Sequence, residues 1–528
     1  MMSLSLDLTS LKHPILPRVL HRLPEAKTQL LLVFNALLEK TGKLSGPSFH
    51  AHLAALLHSA VKDETDLREW LSGRFGDLPG GRGQAFRAAR EQARRWVEDG
   101  RWVAVWGDDH PPSDGAPACP QVLFGKGTIE TDQRWAAVFN SRKPKLVSPG
   151  AEWLQMLRTV LGIITTHELG LASSLGTASY DLVTAGAELA GARLLLLVPQ
   201  LLEKIGQAGD SRLSLSTSYP VVALTCLTRV VSCPKATRMV CRDRLLAFIA
   251  DLHCLLDLRP GGNLQSILER QQQERPRLQL RLRLEDLKPG KVAERLLGSS
   301  CSRRGGESSG ENPGVTQGSQ AKAQRLSHSG RLLEPGAIQW GEYLYHYTRS
   351  CPGAWPGQSY RSYLESLLQD EPLAEHSALS ALVRIVAEGC IRAGCRVVRG
   401  DHKVVSWTSR PPQELSAIRH WNAALIRWTF EPYGLAVKRA VLRSLGAKPA
   451  IYAAAAVYRN LPQEERFRFQ LHDPPRCSWK NEHEWRLPHD LKLAELTSDE
   501  AFLFLPTLAD AAEFAGYTAS DLPIVVLG

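Results

Sequence analysis

The sequence predicts a multidomain α/β protein. It has a helical N-terminal region (1–100), an α/β domain on a parallel sheet (101–290), a flexible, disordered linker (291–337) and an α+β domain (338–528). Three observations carry this. Strand-like and helix-like segments alternate between 121 and 275, the pattern of a parallel sheet with helices on both faces. The stretch Ser299-Ser-Cys-Ser-Arg-Arg-Gly-Gly-Glu-Ser-Ser-Gly-Glu-Asn-Pro-Gly314 has almost nothing to bury, so it cannot offset the entropy of ordering. Beyond it the pattern changes to short strands and scattered helices. A length of 528 residues also exceeds what one core ordinarily serves.

The elements follow in order. Leu30–Leu38 and Phe49–Leu57 carry wide apolar faces and are expected to be helical. Phe86–Val97 is a basic amphipathic helix with Arg87, Arg90, Arg94 and Arg95 on its polar side, a face more often solvated than bound. Trp102–Trp106 is aromatic and β-branched and runs into Gly-Asp-Asp-His-Pro-Pro, which reads as strand and turn. Trp135–Phe139, Leu169–Ala172, Leu194–Val198 and His253–Leu258 read as strands. Ala151–Leu161, Tyr180–Ala190 and Arg238–Ala250 read as helices. In the last domain Ala378–Glu388 is expected to be helical and Val404–Trp407 a strand.

Bulk properties narrow the function classes. Hydrophobic residues make up 44% and charged residues 22%, ordinary for a soluble globular protein. No apolar run reaches the roughly 18–20 residues of a membrane span, and the first residues lack a signal-peptide pattern, so no membrane partner and a cytoplasmic location are expected. Ten cysteines are scattered without a CxxC pair, which favours reduced thiols over a disulfide frame, and no metal site is expected. The net charge of +10 permits a nucleotide or nucleic-acid partner without requiring one.

Two turns suggest a phosphate pocket. Such a pocket needs small residues, so that backbone N–H groups reach the anion, and a helix N-terminus aimed at it. Ser173, Ser174, Gly176, Thr177 and Ser179 meet this need ahead of the Tyr180 helix. Gly261, Gly262 and Asn263 form a second small-residue turn after the His253 strand. Arg142, Arg242 and Arg244 are candidates for charge-assisted bonds to phosphate.

The order of motifs resembles a known family. Trp106-Gly-Asp-Asp-His-Pro-Pro112, Pro120-Gln-Val-Leu-Phe-Gly125 and Asn140-Ser141-Arg142 are followed by Ala172–Asp181 and Arg242–Asp251. Over about 101–275 this is similar to the DNA-processing protein A (Smf) family and, more widely, to the Rossmann-like SLOG superfamily. The resemblance implies a Rossmann-like fold that binds single-stranded DNA or a nucleotide signal. Where that family carries Gly-Ser-Arg, this chain has Asn140-Ser141-Arg142.

In the last domain Tyr343-Leu-Tyr-His-Tyr-Thr348 alternates, with Tyr343, Tyr345 and Tyr347 on one strand face and Leu344, His346 and Thr348 on the other. Trp479–Arg486 reads as a strand with Glu482 and Glu484 on one face. Together with Val404-Val-Ser-Trp-Thr-Ser409, Glu431–Lys438 and Gly446–Tyr452, these motifs resemble the ADP-ribosyltransferase-like abortive-infection proteins over about 340–490. The resemblance implies NAD as substrate. His346 would bond a ribose hydroxyl, and Thr408 or Ser409 would brace the pocket. Glu484 would stabilise the charge that develops as the nicotinamide–ribose bond breaks, and Glu482 would position the acceptor, a protein or nucleic acid.

The resulting expectation is a prokaryotic defence or stress-response protein, with a nucleotide- or nucleic-acid-sensing half coupled to an NAD-using effector half. Two alternatives stand beside it. One is a single-stranded DNA-binding protein whose last domain is a non-catalytic interaction module. The other is an antitoxin-like regulator without chemistry.

Overall fold

The computed structural model describes residues 20–41, scattered positions from 55 to 70, 82–106, 122–128, 132–143, 147–198, 221–225, 235–281, 331–351, 353–395, 398–422, 427–474 and 479–528. The Gly107–Pro112 turn, most of the Phe49–Leu57 segment and residues 291–330 of the expected linker lie outside them. The chain separates into two compact units: Met1–Gly305 with Ser359–Glu371, and Gly306–Gln358 with Pro372–Gly528.

The first unit is a nine-stranded sheet. Its strands are β1 (Leu20–Arg22), β2 (Arg101–Trp106), β3 (Val122–Lys126), β4 (Trp135–Phe139), β5 (Gly170–Ser173), β6 (Leu194–Leu197), β7 (Val221–Thr225), β8 (Leu252–Leu255) and β9 (Leu278–Arg281), in the order β1-β2-β3-β7-β6-β5-β4-β8-β9. The pairings from β7 through β9 are all parallel. Strands β1, β2 and β3 extend the sheet antiparallel. The N-terminal stretch expected to be helical therefore also supplies a strand, besides its helices α1 (Glu25–Thr41) and α2 (Arg82–Glu98).

Crossover helices α3 (Glu152–Thr166) and α4 (Ala178–Leu189) follow β4 and β5, and α5 (Lys235–Ile249) and α6 (Asn263–Glu274) follow β7 and β8. In α3, Trp153, Leu154, Leu157, Val160, Leu161 and Ile164 are buried, the helical spacing of one apolar face. Strands β4 and β6 are buried along their whole length, as parallel strands between two helix layers are. The chain lays β5, β6 and β7 on one side of β4, then returns to place β8 and β9 on the other. The carboxyl ends of β4 and β8 thus form the switch point where open α/β sheets bind ligands.

A further helix, α7 (Tyr360–Leu368), belongs to this unit although the second unit's chain flanks it on both sides. Ser359 caps it, and Tyr363, Leu364, Leu367 and Leu368 are buried. Arg361 reaches the fully buried Glu188 of α4 at 2.9 Å. Arg158 of α3 donates to the Leu367 carbonyl at 2.6 Å and to Asp370 at 2.8 Å.

The second unit is a mixed sheet of β10 (Leu332–Leu333), β11 (Tyr343–Tyr347), β12 (Val405–Thr408), β13 (Gly434–Lys438), β14 (Lys448–Pro449), β15 (Glu484–Leu487), β16 (Ala501–Leu505) and β17 (Ile524–Val526), ordered β10-β17-β16-β13-β11-β12-β15-β14. Helix α8 (Ala378–Glu388) occupies the predicted residues, capped by Ser377 and closed by Gly389 at φ 62°. One apolar cluster joins α8 to Leu344, Trp407, Leu435 and Leu503. Another gathers Tyr345, Tyr347, Phe502 and Phe504.

Two expectations are corrected here. Residues 332–333, placed in the linker, pair with β17 and belong to the sheet. Trp479–Arg486 is not one strand. Lys480–Glu482 is a 3-10 turn and His483 adopts φ 45°, so the strand begins only at Glu484 and the predicted alternation of Glu482 with Glu484 is lost.

Candidate ligand crevice and acidic cluster

The loops that leave β4 and β8 are stitched together. Leu256 N–H donates to the Phe139 carbonyl at 3.0 Å, Ser141 N–H to the Asp257 carbonyl at 3.0 Å, and Arg259 N–H to the Ser141 hydroxyl at 2.6 Å. Lys143 pairs with the Asp257 carboxylate. Gly261 sits at φ 68°, a conformation that favours glycine, and donates its N–H to Gln265, while Gly262 caps α6, which Asn263 opens. Arg142 is exposed. At the root of this loop pair Asn140 is buried, and neither atom of its amide has a hydrogen-bond partner. A buried, unpaired amide is costly, of order 1–3 kcal/mol per group.

The turn after β5 satisfies most of its own groups. Thr184 donates to the Ser173 hydroxyl and to the Ser174 carbonyl, each at 3.0 Å. Gly176, at φ 93°, donates its N–H to Asp181 Oδ1 at 2.8 Å. The Thr177 hydroxyl accepts the Tyr180 N–H at 3.3 Å and caps α4. The hydroxyls of Ser174 and Ser179 are buried without a partner. A carboxylate already holds the one turn amide whose bond is described. An arriving anion must therefore compete with Asp181.

The arginines divide. Arg242 is buried and committed to the core: its guanidinium bonds Asp243 at 2.8–2.9 Å and lies 4.4 Å over the Tyr180 ring, whose hydroxyl donates to Asp243 at 2.8 Å. Burial raises the Asp243 carboxyl against the pull of Arg242. The structure thus gives Arg242 a role within the core, holding Asp243 beside the Tyr180 ring, where the sequence reading gave it only a phosphate. Arg244, on the same helix, is half-buried. A cavity of about 690 Å³ lies at the opposite, amino ends of β4, β5 and β6, lined by Gln133, Arg134, His167, Glu168 and Arg193, away from both turns.

In the second unit the acidic residues sit on the sheet. The register Tyr345↔Thr408 and Thr408↔Glu484 puts Tyr345, Thr408 and Glu484 in one row, with Ser406 and Arg486 beside them on the same face. Glu484 is fixed there. Ser406 Oγ donates to its Oε1 at 2.9 Å, and Arg486 donates through Nε at 2.9 Å and Nη2 at 3.0 Å. Arg486, almost wholly buried, also donates to the Phe467 and Phe469 carbonyls at 3.0 and 2.7 Å. Glu482 follows Asn481 in the turn, and Thr408 Oγ1 donates to its carbonyl. Burial, and then the nearby Glu484 charge, push its carboxyl up to about 7, with Arg349 and Arg486 pulling it back. The Ser409 N–H donates to His483 O at 3.3 Å.

His346 is not part of this cluster. Strand alternation places it on the other face, beside Trp407 at 5.5 Å between rings. Its Nδ1–H donates to the Ser406 carbonyl at 2.9 Å, and burial pushes its pKa down to about 4, so it is neutral. His346 and Glu484, expected in one NAD site, thus lie on opposite faces of the sheet. Besides Arg486, a second basic group acts on the carboxylates: Arg349, two residues past β11. Its guanidinium donates to the Thr429 carbonyl at 3.3 Å and feels the charges of Glu482, Glu484 and Glu431. Sequence reading missed Arg349, Ser406 and Arg486. The period of two along Tyr345–Arg349 and Ser406–Thr408 carries the signal for the first two.

No protein-family model matches the chain, and no curated protein matches it. Two solved structures overlie parts of it. DNA processing protein A (DprA) from Streptococcus pneumoniae aligns over 51% of this chain and 91% of its own, at 13% identity and a TM-score of 0.31. DNA processing protein A from Helicobacter pylori, described for its single-stranded DNA binding mode, aligns over 37% and 86%, at 16% identity and a TM-score of 0.26. The Rossmann-like layout of the first unit stands on its own strand order and crossovers. No described helix is long and apolar enough to cross a membrane.

Proposed function

We propose that the first unit is a ligand-binding module that takes a nucleotide or single-stranded DNA in the crevice outside β4 and β8. The observation that carries this reading is Asn140, a buried amide with both polar atoms unpaired at the switch point of a parallel sheet. An amide with a free donor and a free acceptor suits a base edge or a ribose hydroxyl. Arg142, exposed beside it, suits the phosphate. Fluorescence anisotropy with labelled ATP and labelled oligothymidylate tests this. Asn140→Leu is expected to weaken binding about tenfold, the worth of one or two buried hydrogen bonds. Binding of neither probe at low salt defeats the reading.

A second reading concerns the second unit and is favoured by the Ser406–Glu484–Arg486 array with Glu482 beside it. We propose that this cluster cleaves the nicotinamide–ribose bond of NAD. Glu484, held in place by a hydroxyl and a guanidinium, would face the positive charge that develops on the sugar. Glu482, with a pKa near neutrality, would take up the proton of the attacking water or acceptor hydroxyl. Following nicotinamide release from NAD tests it, with Glu484→Gln expected to abolish turnover. A Glu484→Gln protein as active as the wild type removes the assignment.

A further inference from the structure

We infer that the hairpin of Trp421–Asn422 and Arg427–Trp428, in the second unit, is a stacking platform for single-stranded nucleic acid. The inference stands apart from the first unit's crevice and from the NAD reading. Four observations carry it.

Two tryptophans are left in solvent. Trp421 is 51% exposed and Trp428 38%, and among the described residues no other tryptophan is exposed. The antiparallel register Trp421↔Trp428 and Asn422↔Arg427 sets both indoles on one face of the hairpin. Indoles are ordinarily well buried, so an adjacent pair facing solvent marks a surface that meets a partner.

The pair presents an open ring face. The two rings meet edge to face, 5.6 Å apart at 77°. Such a contact covers at most one face of Trp421 and leaves the other for a flat partner. Every nucleobase has a π-face, so a ring of this kind accepts a base whatever the sequence.

The charge has the sign that phosphate needs. The Arg419 guanidinium lies 4.5 Å over the Trp428 ring, and among the described residues no carboxylate pairs with it. Arg419, His420 and Arg427 stand in a stretch, 415–430, without aspartate or glutamate. The acids that bound it are engaged, Glu414 with Arg410 and Glu431 with Ser350. An arginine already seated on the ring repels a cationic ligand and attracts the phosphate that accompanies each base. A neutral peptide would leave that charge unused.

The platform is held ready. The Thr429 N–H donates to the His420 carbonyl at 3.0 Å, and the His420 N–H to the Thr429 hydroxyl at 3.0 Å. Just outside this pair, Ile418 and Phe430 are buried in the second unit's core. The base of the hairpin therefore need not fold when a strand arrives, which lowers the cost of binding.

Photocrosslinking of the full chain to iodouracil-substituted single strands, one of DNA and one of RNA, tests this. Light couples the halogenated base to an aromatic ring it stacks on, and mass spectrometry is expected to find the base on Trp421 or Trp428. Asn140→Leu is expected to leave this coupling intact. In that background Trp421→Ala is expected to weaken binding of the strand about tenfold. Arg419→Gln is expected to lower the salt dependence by about one counterion. A strand that binds but couples only elsewhere overturns the platform, as does coupling lost with Asn140→Leu or a Trp421→Ala protein of undiminished affinity. Failure of both strands to bind overturns it too. Trp421-dependent pelleting with phosphatidylserine vesicles, in place of strand binding, would assign the hairpin to a membrane surface and likewise overturns it.

Discussion

In the first unit the parallel strands Trp135–Phe139, Leu194–Leu197 and Leu252–Leu255 are buried along their length, and the candidate ligand groups gather past the strand ends. In the second unit the polar groups stand on the sheet itself. Ser406, Thr408, Glu484 and Arg486 project from two adjacent strands, and Arg486 ties them to the carbonyls of Phe467 and Phe469. The difference decides how each site is coupled to its fold. A loop beyond a strand end can change while the core beneath it stays packed. A carboxylate on a strand, held by a buried guanidinium, cannot change without loosening the sheet.

The largest expected effect follows from that contrast. Arg486→Met removes the partner of the mostly buried Glu484 and the bonds that Arg486 gives to two buried residues' carbonyls. Breaking such a pair costs about 3–5 kcal/mol. Arg158→Met in the first unit removes one carbonyl bond and an ion pair to Asp370, whose side chain is 55% exposed. Its cost is expected to be about 1–3 kcal/mol, set by the orphaned Leu367 carbonyl. Urea titrations of the two variants measure both. Equal losses would mean that the Glu484 network is no more integral to its sheet than the Arg158 clamp is to its helices.

The next effect is a pH dependence. Each unit holds both a buried histidine and a raised carboxyl: His253 and Asp243 in the first, His346 and Glu482 in the second. Both histidines are pushed down to about 4 by burial. Between about 4 and 6.5 the unfolded chain binds a proton that the folded histidine refuses, so this contribution is lost as the pH falls, by at most about 3 kcal/mol. Glu482, at about 7, has the opposite sign. From about 4.5 to 7 the folded state holds a proton that the unfolded state has released, so stability is lost as the pH rises. In the second unit the two slopes oppose each other across about 4.5–6.5. Glu482→Gln removes one of them. The second unit's melting temperature is then expected to fall on acidification through that window, where the wild type changes little. Parallel profiles for the two proteins would show that Glu482 stays ionised across that window.

The two units were also unequally legible. Apolar runs such as Leu194–Leu197 and the alternation of Tyr343–Tyr347 fix their elements locally, and α8 was bounded by a serine cap and a glycine stop. The small-residue turn before α4 was legible for the same reason, since Gly176 and Thr177 are local signals. What escaped was non-local. Nothing within Tyr360–Leu368 says which core its apolar face covers. Nothing near Arg242 says that the distant Tyr180 will bring its ring and hydroxyl to the Arg242–Asp243 pair. The break at His483 depends on a backbone conformation that histidine rarely adopts, so a period count runs straight through it and pairs Glu482 with Glu484 wrongly.

Backbone crowding gives a smaller contrast. A Cβ at Gly434 would meet the His346 carbonyl oxygen at 2.2 Å, a backbone atom within the sheet. Gly434→Ala is expected to cost about 1–3 kcal/mol. A Cβ at Gly186 meets the end of Leu161 at 2.3 Å. That side chain can rotate, and alanine gains about 1 kcal/mol of helix propensity over glycine, so Gly186→Ala is expected to be near neutral. Thermal melts of both variants check the ordering.

The smallest expected effect separates capping from binding at the ligand turn. Thr177 caps α4 through a 3.3 Å bond, while Ser377 caps α8 at 3.1 Å and also bonds Glu375 and the Ser380 hydroxyl. Replacing a cap by alanine typically costs about 1 kcal/mol. Ser377→Ala, with more bonds to lose, is expected at or above that figure, and Thr177→Ala below it. Thr177 has a second assignment that Ser377 lacks, because it lies in the turn after β5 that the sequence marks as a phosphate turn. If its hydroxyl serves only as a cap, Thr177→Ala weakens probe binding no more than its loss of stability explains, and saturating probe restores the melting temperature. If the hydroxyl meets the ligand, affinity falls severalfold while the protein without probe melts almost as the wild type does. Melting curves of Thr177→Ala with and without ATP separate the two outcomes. A variant that loses neither stability nor affinity removes Thr177 from both roles.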